Sequence, residues 1–473
     1  MGVESFFVDS LRKNLRFPAT PCQEHLFDVL AKFTMQYEEC DLLVVSGYAG
    51  TGKTSAVAAF VKTLSDLGYK YVLLAPTGRS AKVLSNFTGR KASTIHKHIY
   101  RQKSLKNGIG EFELNFNKTK DTYFIVDEAS LISVDHSAGG APNLFGSGDL
   151  LDDLISFVRS GVDDKLVIIG DPGQLPPIGM DQSPALDISY MGRYGKVMTA
   201  ELSTVVRQAA ESGILTNATL VRNLIERGVA EKPKMRLDGF TDVERITGTE
   251  LIDALSDAID KYGLDNLAVL CRSNKMANRY NAGIRSSVLY REEKLSKGDK
   301  LMVVKNCYQF VEDIPELDFI ANGDVARLEK ISHYEERYGI NFAEAVLSFP
   351  DYNDVEVTAR VILDTLQSEK PALSDEQQNA LYQGVNEDYS HIKGVRKRYE
   401  AVREDKYFNA LQIKYATAIT CHKSQGGQWK CVFIDNPFWH ELTVDDLKWL
   451  YTAITRGVEK VYFVNFKDDF FNG

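Results

Sequence analysis

Short runs of apolar residues recur along this chain, and each is followed by a polar loop and then by residues with helical periodicity. Residues 42–46, 71–75, 122–126 and 166–170 are such runs in the first half, and 267–271 begins the pattern again. Continuous apolar runs of this length are typical of parallel strands covered on both faces. The alternation therefore predicts an α/β fold with parallel sheets, whose ligands bind at the carboxyl ends of the strands.

The pattern changes in the second half, where short β segments replace the alternation of strand and helix. Segments at 300–304, 324–330 and 346–349 are followed by a charged helical stretch at 368–405, and an apolar run resumes at 411–419. A change of periodicity that later reverts indicates an insertion into a parallel-sheet domain. The helical stretch carries a basic cluster near its end, and charge runs of this kind are typical of a solvated face.

These changes divide the chain into units, since 473 residues have room for about three domains of roughly 150 residues each. The predicted units are a first domain at 1–195 with a hairpin insertion at about 99–120, a second domain at 196–290 and 408–473, and an inserted β-rich and charged helical region at 291–407.

The first apolar run leads into a phosphate-loop motif, GYAGTGKT, and then into an Ala-rich helix. Its glycines allow successive backbone N–H groups to turn inward, and the helix N-terminus adds partial positive charge. We expect Lys53 to reach the β- and γ-phosphates and the Thr54 hydroxyl to ligate Mg²⁺. The loop therefore predicts a nucleoside-triphosphate site, with binding residues Gly47, Gly50, Thr51, Gly52, Lys53, Thr54 and Ser55.

Two further strand ends carry residues suited to phosphoryl transfer. Asp127 and Glu128 end the run at 122–126, where one carboxylate suits Mg²⁺ and the other suits a base for the attacking water. Gln174 follows the run at 166–170 and is placed to contact the γ-phosphate. Upstream, Gln23 could read an adenine edge, or it is an ordinary helix residue after the cap at Thr20.

The formal net charge is −9, so a nucleic acid would have to be held in a local groove rather than by the overall charge. Six cysteines include no C-x-x-C pair, which argues against a cysteine-cluster zinc site and fits a reducing compartment. No apolar run approaches the roughly 20 residues of a membrane helix. The composition predicts a cytoplasmic protein with no membrane partner.

A hairpin is predicted between residues 100 and 120 from the turn signal Asn107-Gly108. Phe112 and Phe116 lie on it. They could stack on a base pair as a strand-separating wedge, or they could anchor the hairpin to the domain beneath it. Both alternatives remain open at this point.

Eight segments together resemble superfamily 1 helicases of the RecD-like, Dda-like subgroup, and they span about residues 20–465. In chain order they are GYAGTGKTS, APTGRSAKVL, STIH, IVDEAS, GDPGQLPP, VVRQ, CHKSQGGQW and YTAITRG. The resemblance implies two RecA-like P-loop domains with ATP between them, and a small SH3-like β-barrel inserted in the second. The helical stretch at 368–405 matches the subgroup less clearly.

Residue roles follow from the resemblance by motif. Catalysis would involve Lys53, Glu128 and Gln174, with Arg207 and Arg456 as arginine fingers supplied by the second domain, and Gln23, Gln425 and Gly426 would join the nucleotide site. The cofactors would be ATP and Mg²⁺, the latter held by Thr54 and Asp127. The residues that the resemblance implies in DNA binding are Pro76, Thr77, Arg79, Thr94, His96, Thr420 and His422. Phe112 and Phe116 are added as DNA-binding candidates from the hairpin pattern alone.

The sequence thus predicts an ATP-dependent helicase that translocates on single-stranded DNA and unwinds duplex junctions, with 5′-to-3′ polarity implied by the subgroup alone. A motor subunit of a helicase–nuclease complex and a non-motor, nucleotide-gated binding module are the alternatives. A single-strand-binding or replication or repair protein is a candidate partner. An RNA substrate also stays open, because backbone contacts need not distinguish the 2′-OH.

Overall fold

The computed structural model describes residues 2–35, 40–102, 112–134, 146–205, 212–307, 309–311, 314, 317 and 319–472. Its helices are α1 Val3–Asn14, α2 Pro21–Met35, α3 Lys53–Asp66, α4 Gly78–Thr88, α5 Ile95–Ile99, α6 Leu150–Arg159, α7 Ile188–Met191, α8 Gly213–Glu226, α9 Leu251–Tyr262, α10 Asn274–Gly283, α11 Asp375–Asp388, α12 Val395–Glu404, α13 Cys421–Ser424 and α14 Val444–Ile454. Its strands are β1 Leu42–Gly47, β2 Lys70–Ala75, β3 Ala92–Thr94, β4 Tyr100–Gln102, β5 Phe112–Leu114, β6 Thr122–Val126, β7 Lys165–Gly170, β8 Val197–Leu202, β9 Val243–Ile246, β10 Leu267–Cys271, β11 Lys300–Val303, β12 Val325–Arg337, β13 Ile340–Phe349, β14 Val355–Ile362, β15 Leu411–Tyr415, β16 Ala418–Thr420, β17 Trp429–Asp435 and β18 Gly457–Val464.

The first sheet has six parallel strands in the order β3-β2-β6-β7-β1-β8. Successive residues of β1 face opposite cores: Leu43 packs with α1, α2 and α3, whereas Leu42 packs with α6. Both faces are covered, which is why this strand reads as one continuous apolar run. The arrangement confirms the predicted parallel α/β sheet and brings the ends of β6, β7 and β1 side by side.

The second sheet has five parallel strands in the order β16-β10-β17-β18-β9. Helices α8 and α14 pack on one face of it, and α9 and α10 pack on the other. The predicted restart of the pattern at residue 267 is therefore confirmed as a second parallel sheet.

Strands β11, β12, β13, β14 and β15 form a closed barrel. In sequence this barrel is inserted between β10 and β16 of the second sheet. Neighbouring strands of the barrel pair antiparallel, except for β14 and β15, which pair in parallel. Helices α11 and α12 pack on one end of the barrel through Leu381, Val385 and Val402. The predicted β-rich and helical insertion is thus present as two packed parts.

Two predicted boundaries need correction. Strand β8 pairs with β1 in the first sheet, so the first unit extends past residue 195 to Leu202. Only part of this edge strand is buried, so apolar and polar residues are mixed along it and it does not read as a continuous apolar run. Strand β15 pairs with β11 and β14 and closes the barrel, so the insertion extends past residue 407 to Tyr415. A fully buried strand has the same pattern in a sheet and in a barrel.

Candidate functional site

The phosphate loop lies where β1 ends and α3 begins, as the sequence predicts. Gly50 and Gly52 have φ values of +76° and +79°, which side chains with a Cβ rarely adopt. The Thr51 hydroxyl donates a hydrogen bond of 2.7 Å to the Tyr48 carbonyl and so fixes the turn from within. The loop thereby presents its backbone N–H groups ahead of a helix N-terminus, which is an arrangement that favours anions.

Lys53 is held at the start of α3 by groups of the loop and by one carboxylate. Its Nζ donates to the carbonyl oxygens of Gly47 at 2.6 Å and Tyr48 at 3.0 Å. It also lies 3.4 Å from Oδ2 of Asp171, whose side chain is 1% exposed. The sequence placed Asp171 in a motif without assigning it a role; its contact with Lys53 depends on the pairing of β7 with β1.

Asp127 and Glu128 lie at the end of β6, two strands from β1 in the sheet. Burial, followed by the charge of Glu128, raises the pKa of Asp127 to about 6. Glu128 has a φ of +55°, a left-handed conformation that is uncommon outside glycine and is often found at functional sites. Two adjacent carboxylates with different environments suit a metal ligand and a base, in keeping with the sequence prediction.

Gln174 is 5% exposed, in the loop that follows β7. Its Oε1 is buried, and no hydrogen-bond partner for it lies among the described residues. A buried carbonyl oxygen without a partner is costly, so this side chain is suited to a polar ligand atom or a water. That fits the predicted contact with a nucleotide.

Arg456 reaches this region from the second sheet, just after α14. It is 3% exposed, and it donates hydrogen bonds to Thr452 O at 3.1 Å, Gly427 O at 3.1 Å and Thr455 Oγ1 at 3.2 Å. These acceptors are all neutral, and within the described part of the chain no carboxylate pairs with Arg456. A buried cation without a counter-charge is suited to an anionic ligand.

These groups line one cleft of about 530 Å³ between the two sheets. The predicted residues along it are Gln23, Gly50, Gly52, Lys53, Thr54, Ser55, Asp127, Glu128, Gln174, Gly426 and Arg456. Thr54 and Asp127 supply hydroxyl and carboxylate oxygens, which are ligands that Mg²⁺ prefers when phosphates complete its shell. The donor set therefore fits a Mg²⁺–nucleotide complex.

Two of the predicted nucleotide residues have structural contacts of their own. Gln23 accepts from Thr20 N–H at 3.0 Å in a helix cap and donates to Thr51 O at 3.4 Å. Gln425 does not line the cleft; its Nε2 donates to Leu175 O at 2.7 Å. Neighbouring Gly426 has a φ of +73°, and a Cβ there would lie 2.0 Å from Ser80 Oγ, so glycine allows the close approach of the two halves.

The residues Thr77 and Arg79 lie at a contact between the two halves. Thr77 caps α4 by accepting from Ser80 N–H, so this helix begins at Gly78. The Arg79 guanidinium lies 4.0 Å from the centre of the Trp429 ring. Pro76 ends the strand before this cap. These predicted DNA residues therefore form part of the seam beside the cleft.

A second groove, of about 410 Å³, separates α4, β3 and α5 from the barrel. Thr94, a predicted DNA residue, lines it together with the cations Lys82, Arg90, Lys91 and Lys97. Of these cations, only Lys82 stands out in the sequence as a donor suited to phosphate oxygens; the four are spread over sixteen positions between residues 82 and 97, and the fold puts them beside one groove. A line of cations beside a hydroxyl suits a phosphate backbone.

The remaining predicted DNA residues lie close to this groove or on the second sheet. His96 is in α5, directly after the cap at Thr94, and burial lowers its pKa to about 4, so the imidazole is neutral near pH 7. Thr420 and His422 lie at the end of β16 and in α13. Burial, followed by the charge of Arg272, lowers the pKa of His422. Both histidines are thus suited to hydrogen bonding and stacking rather than to charge.

The hairpin is present as the antiparallel pair β4 and β5, while its tip at Asn107-Gly108 is outside the described residues. Phe112 packs against the core of the first sheet, which favours the anchoring alternative for it. Phe116 is 67% exposed, with the Arg101 guanidinium 4.4 Å from its ring centre. Arg207, a predicted arginine finger, is also outside the described residues.

The described residues include neither a cluster of three or more His, Cys, Asp or Glu side chains suited to hold a metal ion nor a helix long and apolar enough to cross a membrane.

Comparison with known proteins adds two family matches. The AAA domain family matches residues 29–240, and the UvrD-like helicase C-terminal domain family matches residues 415–464. The first match covers the phosphate loop and both strand ends described above. The second covers α13, α14 and Arg456. The fold and the cleft therefore define a P-loop nucleoside triphosphatase with parallel α/β sheets.

Two relatives refine this class, and one solved structure is similar in fold. The ATP-dependent DNA helicase dda of Enterobacteria phage T4 is 25% identical over 470 residues, which are 94% of this chain and 99% of that protein. The ATP-dependent RecD2 DNA helicase of Deinococcus radiodurans is 30% identical over 181 residues, 37% of this chain but only 21% of that protein. A crystal structure of Bacteroides Pif1 helicase in complex with ADP-AlF3 and ssDNA aligns over 97% of this chain and 95% of that one, with 15% identity and a TM-score of 0.49. These matches support a superfamily 1 helicase similar to the RecD-like, Dda-like subgroup.

Proposed function

We propose that this protein is an ATP-dependent DNA helicase that moves along single-stranded DNA and unwinds duplex at junctions. The observation that carries the proposal is the cleft between the sheets. There Lys53, Glu128 and Gln174 of the first half face Arg456, a buried cation of the second half without a carboxylate partner among the described residues.

The chain's own groups divide the work of hydrolysis. The phosphate loop and Lys53 bind the β- and γ-phosphates, and Glu128 orients the attacking water and accepts its proton. Gln174 offers its buried oxygen to this region, and Arg456 neutralises charge that develops on the transferred phosphoryl group. Thr54 and Asp127 would hold Mg²⁺, which supplies further neutralisation of that charge. Arg207 is proposed as a second finger on the strength of its motif alone.

Single-stranded DNA is proposed to bind across the first half, the second half and the barrel. The second groove, called the cationic groove from here on, supports this path. Its residues Lys82, Arg90, Lys91 and Lys97 can contact successive phosphates while Thr94 donates from its hydroxyl. Thr420 and His422 would extend it onto the second sheet. The 5′-to-3′ polarity is part of the proposal and rests on the subgroup.

The proposed domains follow the sheets, with the corrected boundaries. A first RecA-like domain runs to Leu202, and a second is built from the remainder of the chain apart from the barrel and its helices. The barrel is proposed as the SH3-like insertion of the subgroup, and its wall in the cationic groove gives it a role in holding the strand.

Strand displacement tests the proposal. DNA duplexes with a 5′ tail, a 3′ tail or blunt ends, and matched RNA duplexes, are incubated with the protein and ATP. We expect unwinding of the 5′-tailed DNA alone, together with ATP turnover stimulated by single-stranded DNA. Unwinding of the 3′-tailed substrate alone would refute the polarity. DNA-independent turnover without unwinding would favour the nucleotide-gated binding module.

A further inference from the structure

A tyrosine of the second sheet reaches into the phosphate loop of the first. Tyr451 lies on α14 and is 1% exposed, in the same helix that ends just before Arg456. In the sequence, Tyr451 stands among apolar helix residues, where an aromatic side chain is typical of a core position.

The hydroxyl of Tyr451 makes two hydrogen bonds to residues of the first half that line the cleft. It accepts from the backbone N–H of Ala49, in the phosphate loop, at 2.8 Å. It donates to Oδ2 of Asp171, also at 2.8 Å. The directions are fixed, because an N–H group can only donate, and the single hydroxyl proton is therefore directed to the carboxylate.

Asp171 links this hydroxyl to the lysine of the phosphate loop. Its Oδ2 lies 3.4 Å from Lys53 Nζ, and its Oδ1 accepts from Gly173 N–H at 2.9 Å. The carboxylate is 1% exposed, so each of these partners matters for its position and charge. A continuous set of polar contacts thus runs from α14 through Tyr451 and Asp171 to Lys53.

The surrounding packing leaves the ring little freedom. A Cβ on Gly173 would lie 3.0 Å from Cε1 of the Tyr451 ring, so the loop passes directly against this ring. The next residue of α14, Thr452, accepts from Leu175 N–H at 2.9 Å. Two successive residues of α14 therefore hold the loop that carries Gln174, and a shift of this helix either moves the loop or breaks these bonds.

We propose that the Tyr451 hydroxyl is a positioning group that couples the placement of Arg456 to that of Asp171 and Lys53. This inference rests on the proposed function, since it concerns how the same cleft is regulated. When α14 moves relative to the first sheet, Tyr451 transmits the movement to the lysine of the phosphate loop. DNA bound across both sheets would thereby influence hydrolysis through this one side chain.

The test is Tyr451→Phe, which keeps the ring and its packing and removes only the hydroxyl. We expect kcat for DNA-stimulated ATP hydrolysis to fall on the order of 10-fold to 100-fold, as for loss of a hydrogen bond to a charged group, with KM for ATP changed less than about threefold. We also expect faster amide hydrogen exchange in the peptide that contains Ala49, because its N–H loses its acceptor.

Tyr280→Phe is the matched control. Tyr280 is also a tyrosine whose hydroxyl donates to a carboxylate, at 2.6 Å to Asp435, but it lies on α10, and Asp435, unlike Asp171, does not line the cleft. Both variants should lose similar thermal stability, and only Tyr451→Phe should change kcat and exchange at the phosphate loop. Equal effects of the two variants on kcat, or a kcat within twofold of wild type in Tyr451→Phe, would overturn the inference.

The wild-type protein in the same assay separates this inference from the proposed function. If the wild type shows DNA-stimulated turnover and Tyr451→Phe matches it, only the coupling role is refuted. If the wild type shows no ATP turnover with or without DNA, the helicase assignment fails and the coupling role is refuted with it.

Discussion

The two parallel sheets have the same construction but supply different chemistry at their strand ends. In the first, β1 leads into a loop with two left-handed glycines and a helix that begins at Lys53. In the second, β10 leads into Ser273, which caps α10 by accepting from Met276 N–H. The helix after the phosphate loop has Gly52 at its N-cap and no side-chain cap, whereas the helix after β10 has an N–H group satisfied by its own cap residue.

This difference shows that a parallel sheet positions a site without specifying it. The second sheet instead supplies side chains that extend to the first half. These are Tyr451 of α14, Arg456 just after α14, and Gln425 just after α13. The proposed triphosphate site at their boundary would therefore require both sheets, and we expect its activity to depend on their relative position.

The largest expected loss of ATP turnover comes from a substitution in the phosphate loop of the first half. Lys53→Ala removes the cation that contacts the phosphates, and we expect turnover to fall on the order of 10³ or more. Lys62→Ala is the control, because Lys62 lies on the same helix but is 59% exposed and pairs with Asp66. Turnover of Lys53→Ala near that of the control would disprove the assignment of the first sheet as the phosphate-binding side.

Replacing Arg456 of the second half is expected to lower ATP turnover by a similar factor, but without the same loss of ATP binding. Arg456→Ala should lower turnover on the order of 10³, while ATP binding changes little, because the cation matters most for charge in the transition state. Lys460→Ala is the matched control, since Lys460 follows on β18 and pairs with Glu244. Equal losses of affinity and turnover in Arg456→Ala would make this arginine a ground-state ligand and remove the distinction between the sheets.

The two phenylalanines of the hairpin in the first half are expected to differ in their effects on stability and unwinding. Phe112→Ala should lower the free energy of unfolding by about 2 kcal/mol and reduce all activities together, because its ring packs on the core. Phe116→Ala should change stability by less than about 0.5 kcal/mol, because its ring is exposed. Denaturant titrations and unwinding assays on both variants check this.

Loss of unwinding in Phe116→Ala, with DNA-stimulated ATP turnover intact, would identify it as the wedge. Normal unwinding in Phe116→Ala, with Phe112→Ala merely destabilised, would place the wedge elsewhere.

The smallest effect is expected at the seam between the sheets. Arg79→Ala loses its stacking on Trp429, which is worth about 1–2 kcal/mol when partly desolvated. We expect a lower melting temperature and an unchanged salt dependence of DNA binding. Arg90→Ala, in the cationic groove, should show the reverse, with stability kept and the slope of log K against log salt reduced by about 0.7. Salt titrations of single-strand binding distinguish the two, and a reduced slope in Arg79→Ala would make it a phosphate contact.

The sequence by itself determined the parts of the site that depend on local chemistry. The phosphate loop, the acids at 127 and 128, and Gln174 each follow a buried run, and a run of that kind must end at the carboxyl edge of a parallel sheet. Their meeting in one cleft followed from that rule. The hairpin at 100–120 was likewise readable, since its turn signal lies between residues with strand propensity.

Only the tertiary structure decided what depends on pairing between distant segments. Strand β8 joins the first sheet and β15 closes the barrel because of hydrogen-bond partners that lie far away in sequence, and periodicity carries no information about them. For the same reason Tyr451 looked like a core residue until α14 was placed against the phosphate loop. The cations of the second groove form one wall only because α4, β3 and α5 pack beside the barrel, so that charges spread along the chain come to face one space.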